Sequence, residues 1–140
     1  TMAITQALCV AFKEDLMSPG ANLEANTLKL ALYTNAATLN ENTTAYTTSQ
    51  EVSGTGYSAG GATLANVAVT TDGNVAIFDC DNVAFANSTI TAQAALIYNN
   101  SNSNSAICVL DFGGDKSSTN GTFEIQFPTA DANNALIRIS

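Results

Sequence analysis

Carboxylates and thiols are the groups with which this chain could do chemistry, because it contains no histidine. Without an imidazole, a serine or cysteine nucleophile lacks its usual base. Asp79 and Asp81 stand two apart in Phe-Asp-Cys-Asp-Asn. In extended backbone they project to one side, and with Asn82 they could offer oxygen ligands to a hard cation such as calcium. The run lacks the glycine of a calcium loop, and a solvated strand end explains it more simply. Asp111-Phe112-Gly113 echoes a kinase triplet, but the glycine-rich loop, strand lysine and catalytic-loop residues of a kinase are missing. It reads as a turn closing the strand that ends at Phe112. Gly54-Thr55-Gly56 with Gly60-Gly61 has neither the Gly-Lys-Ser/Thr ending nor the following helix of a phosphate cradle. Those glycines read as permitting a tight backbone path or a close approach by a neighbour. Cys9, Cys80 and Cys108 are odd in number, have no Cys-x-x-Cys spacing and sit among apolar neighbours. They predict neither a disulfide framework nor a zinc site, but small buried hydrophobes suited to a reducing cytoplasm. The expectation is a chain that is not an enzyme and uses no cofactor, with Asp79 and Asp81 as weak metal candidates.

Composition narrows the class. A length of 140 residues fits one domain with a real core, and 46% of them are apolar. Only 11% are charged, less than half the usual share, so the wetted surface must be Thr, Ser, Asn and Gly. The net charge is −8, and the four cations, Lys13, Lys29, Lys116 and Arg138, are scattered along the chain. That balance repels phosphate backbones, so no nucleic-acid partner is expected. The acidity serves solubility, or else complements a basic patch on a partner. No signal-peptide pattern and no apolar run near 20 residues is visible, so neither export nor membrane spanning is expected.

One segment has helical period. Ile4, Leu8, Phe12 and Leu16 share a stripe, which predicts a short amphipathic helix over about 4–17, stopped by Ser18-Pro19-Gly20. Everything after Glu24 reads as strands and turns. Strands are predicted at 27–34, 62–70, 75–79, 82–86, 89–98, 106–112, 122–127 and 135–139. In 27–34, Leu28, Leu30 and Leu32 take one face while Lys29, Ala31 and Tyr33 take the other. Thr71-Asp72-Gly73-Asn74 and Asn120-Gly121 read as tight turns, because Asp-Gly and Asn-Gly supply positive φ cheaply. The Asn/Ser run at 99–105 reads as a hairpin tip. With no crossover helices, the fold class is all-β: a single domain over 1–140, with an antiparallel β-sandwich, jelly-roll-like, over about 27–140.

The polar stretch 35–61 is too long for a plain connection and predicts local pairing around Tyr46 or Glu51–Ser53. Tyr46 and Tyr57 within it are either anchors at a protein interface or pegs that hold the loop down. Leu8 and Phe12 on the helical stripe are the other interface candidates. Glu51 has no base to partner it.

Several phrases in order resemble one family. They are the opening MAITQALC, the LALYT strand, EVSGTGYSAGGATL, NVAFANSTITAQAALIYN, VLDFGGDKSS, and the close from IQFPTADA to ALIRIS. Together they are similar to small virion structural proteins of tailed bacteriophages, especially of aquatic and cyanobacterial hosts. The resemblance covers nearly the whole chain and implies a place in the virion, with synthesis in the host cytoplasm. A small acidic sandwich without chemistry then fits a capsid decoration, or cement, protein. Such a protein would bind the major capsid protein or other virion proteins and assemble with itself, a trimer being favoured. A tail, baseplate or fibre component is the alternative within the particle. A carbohydrate-binding adhesin domain is the alternative from another class, although it wants exposed aromatic platforms and this chain has no tryptophan.

Overall fold

A computed structural model describes residues 3–18, 20–128 and 136–139. The described chain is mostly β, with antiparallel sheets of five and three strands and one short helix. In chain order the elements are β1 (Ala3–Ile4), β2 (Ala7–Leu8), α1 (Val10–Leu16), β3 (Leu28–Tyr33), β4 (Thr38–Leu39) and β5 (Ala62–Thr63). There follow β6 (Ala68–Asp72), β7 (Val75–Asp79), β8 (Val83–Asn99), β9 (Ser105–Ile125) and β10 (Ile137–Ile139). The larger sheet runs β2-β9-β8-β3-β5 and the smaller β10-β7-β6, while β1 and β4 form a parallel pair.

The N-terminal helix is shorter than its period suggests. Ile4 lies on β1, paired with Leu39, and Leu8 on β2, paired with Cys108. Cys9 is extended (φ −71°, ψ 143°), and only Val10–Leu16 is helical. Here an open strand edge satisfies the backbone that a first helical turn would leave unpaired, and pairing overrides the period. Pro19, part of the stop signal, lies outside the described residues, as does Ala135 of the last predicted strand.

The four strands predicted at 82–86, 89–98, 106–112 and 122–127 are two. β8 and β9 form one hairpin of 17 and 21 residues. The breaks expected within each arm of the hairpin are bulges. Asn87 (φ 51°) and Asn120 (φ 47°) take left-handed backbone inside the ribbon, so Asn120-Gly121 is no turn. Ala92 pairs with Lys116 and Ala94 with Asp111, so one β8 residue faces the four residues 112–115 of β9. Such insertions bend a ribbon and increase its twist. Ser88, fully buried, sits at one bend: its Oγ donates within reach of the Phe85 (2.9 Å) and Gly121 (3.1 Å) carbonyls and shares a hydrogen bond with Ser118 Oγ (2.7 Å).

The expected strand 62–70 is split into β5 and β6, with Asn66 (φ 53°) between them. The 71–74 turn forms as read, joining β6 to β7 through Gly73 (φ 62°). The Asn/Ser tip is a hairpin end, and it is docked. Buried Asn99 donates Nδ2–H to Asn26 Oδ1 (2.8 Å), while Asp15 of α1 accepts from Asn102 Nδ2 (3.1 Å) and Ser105 Oγ (2.8 Å).

Alternation along β3 and β8 feeds two apolar clusters, one on each face of the larger sheet. Leu28, Leu30, Leu32, Ala95 and Ile97 join one cluster with Phe12 of α1, Phe78 and Ile137 of the smaller sheet, and Phe85 and Phe123 of the bent ribbon. Ala31, Tyr33, Ala94, Leu96 and Tyr98 join the other, covered by Cys9, Ala37, Leu39 and Tyr46. Each fully buried leucine or isoleucine stabilises the fold by about 1.5–3 kcal/mol through apolar area removed from water.

Candidate functional site: a tyrosine cage around Glu51

All four tyrosines of the chain gather where the 34–61 segment folds back over β3 and β8. Tyr33 and Tyr98 come from those strands, and Tyr46 and Tyr57 from the segment. Glu51 is their hub. Its Oε1 accepts from the Tyr46 hydroxyl (2.7 Å), and its Oε2 from the Tyr57 hydroxyl (2.6 Å) and the Gly60 N–H (2.8 Å). The Tyr57 oxygen in turn accepts the Leu32 N–H (3.0 Å), a β3 donor pointing off the sheet edge. Tyr98 donates to the Gly60 carbonyl (2.7 Å), and its ring stacks on Tyr46 with centroids 4.7 Å apart and planes at 20°. Tyr33 donates to the Thr47 carbonyl (2.6 Å), and its backbone bridges to Glu51. Val52 N–H donates to the Leu32 carbonyl (2.9 Å), completing the seam.

The electrostatics follow from burial beside a carboxylate. Desolvation, then the hydrogen bond to Glu51, drives the Tyr46 and Tyr57 hydroxyls well above the usual phenol range. Burial is also the main cause for Tyr33 and Tyr98, with the Glu51 charge adding to it. All four rings are therefore neutral donors at ordinary pH. A phenol so held is a donor and not a base, and three of the roughly four acceptor sites of the Glu51 carboxylate are taken by donors of the same chain. The arrangement fastens a long polar loop to the sheet.

The residues singled out from the sequence fall as follows. Tyr57 is buried and Tyr46 half-buried, and both act as pegs for the loop. Phe12 is only 1% exposed, inside the main core, and Leu8 packs half-buried against that core from β2. Asp79 is paired through β7 with Ala68, and Asp81 accepts from Asn66 Nδ2 while its N–H donates to the Ala65 carbonyl (2.9 Å). Among the described residues no three His, Cys, Asp or Glu side chains gather to hold a metal ion. The thiols are buried: desolvation raises Cys9 to about 11 and Cys80 to about 12, and carries Cys108 higher still.

Sequence reasoning put Leu16 on the helical stripe but passed over the groove that the fold leaves apolar and wet around it. Leu16 (41% exposed), Val69 (43%) and Ile139 (48%) line a groove of about 280 Å³ between the end of α1, residues 21–24 and the smaller sheet, and Met17 (87%) lies next to Leu16 in sequence. Leu23, Ile77, Phe78 and Ile137 also line it, and Glu24 stands at its side, its Oε2 accepting the Val69 N–H (3.2 Å) on the edge of β6. Val69 and Met17 gave no signal, because a lone apolar residue in a strand or after a helix is ordinary. Among the described residues no helix is long and apolar enough to cross a membrane. Compared with known proteins, the chain matches no family model, no curated protein and no solved structure.

Proposed function

We propose that this chain is a structural component of a tailed-phage virion, a cement protein that decorates the head shell and binds other virion proteins without transforming any molecule. In this reading the five- and three-stranded sheets are the two layers of an antiparallel sandwich, which their shared core supports. The place in the virion rests on the resemblance in the sequence. The adhesive role rests on one observation: in a chain with only 11% charged residues, Leu16, Val69 and Ile139 stay exposed along a single groove. Apolar side chains left wet side by side along one groove support a contact face there. The polar loop that offers the natural rival surface has its Glu51 and tyrosine groups hydrogen-bonded inside the chain. Many copies, each with a modest interface, together resist internal pressure. Purified particles, split into heads and tails, test the reading. Copies of the protein in the head fraction, and heads that lose heat resistance without it, are expected; absence from the head fraction sinks it.

A further inference from the structure

We draw no further inference here: the strongest candidate, the apolar groove between the end of α1 and the three-stranded sheet lined by Leu16, Leu23, Val69 and Ile139, is the contact face already described, and nothing in the structure shows what covers it.

Discussion

Phe112 and Phe123 lie eleven positions apart on one strand, β9, yet their ring centroids are 6.1 Å from each other, tilted by 55°. A flat strand would hold them roughly 36 Å apart. The four-residue bulge at 112–115 and the irregularities near Asn87 and Asn120 fold the ribbon back over the core, bringing Phe85 and Phe123 into the same cluster as Leu30. Ser88 holds one of these bends. Ser88→Ala removes a hydroxyl bonded to two carbonyls and to Ser118, and should cost about 1–3 kcal/mol. Urea unfolding gives the number, and a loss under about 0.5 kcal/mol would show that the bend stands without it.

The cage around Glu51 predicts a larger penalty than an exposed carboxylate should. Glu51→Gln turns an acceptor toward two phenols and one N–H into a group that must present its own donors to one of them. A loss of about 2–3 kcal/mol is expected, since hydrogen bonds to charged groups are the costlier ones to lose. Tyr57→Phe should cost about 1–3 kcal/mol, because it also strands the Leu32 N–H. A double-mutant cycle between the two positions should be strongly non-additive. Simple additivity would mean that the hydroxyl and the carboxylate do not act together.

Two glycines separate close approach from backbone strain. A Cβ on Gly61 (φ 80°) would stand 1.8 Å from the Leu30 carbonyl oxygen, so Gly61→Ala must move β3 or the loop. Gly73 (φ 62°) has nothing within 4 Å, so Gly73→Ala meets only the left-handed penalty of about 1–2 kcal/mol. Soluble Gly73→Ala and unfolded or aggregated Gly61→Ala are the expected products. Equal thermal midpoints for the two would contradict the packing of the loop on β3.

Alkaline pH should destabilise this chain progressively. Its buried thiols and phenols are raised above their ordinary values of 9.0 and 10.0, mainly by desolvation. A raised group keeps its proton in the folded chain while the unfolded chain loses its own. The stability is thus complete below about pH 9 and is lost as pH rises through about 11 for Cys9 and 12 for Cys80. Each group contributes a slope of about 1.4 kcal/mol per pH unit while only the unfolded form is ionised. The fall should begin near 9 and steepen past 10, where tyrosines join. Urea midpoints at pH 8, 9, 10 and 11 measure it, and a flat profile to 11 contradicts the burial of these groups.

What could be read in advance follows the range of the physics. β3 was legible because strict alternation at Leu28, Leu30 and Leu32 is a local signal, and the Gly73 turn because Asp-Gly chemistry is local too. The same positive-φ chemistry misled at Asn120-Gly121, since a bulge inside a hairpin needs it as much as a turn does. The first half of the helical stripe was overridden by strand pairing, Ile4 with Leu39 and Leu8 with Cys108 a hundred positions away. Tyr46 and Tyr57 could be picked out as alternatives, interface or peg. Glu51 could not, because its partners are phenols and an amide brought together only by the fold. The wet apolar groove was illegible for the same reason: α1, β6 and β10 meet only in three dimensions.

Substitution on the groove separates adhesion from folding. Leu16→Glu and Val69→Glu replace exposed side chains that line the groove, so each should leave the chain folded. Infected cells supplying only the wild-type chain, or only one of these variants, would yield particles whose heads can be purified and their protein content measured. Wild-type chain is expected on the heads in many copies, with both variants folded in the lysate but lost from the heads. Heads that carry the variants as fully as the wild type, or that never carry the chain at all, would contradict adhesion through this groove.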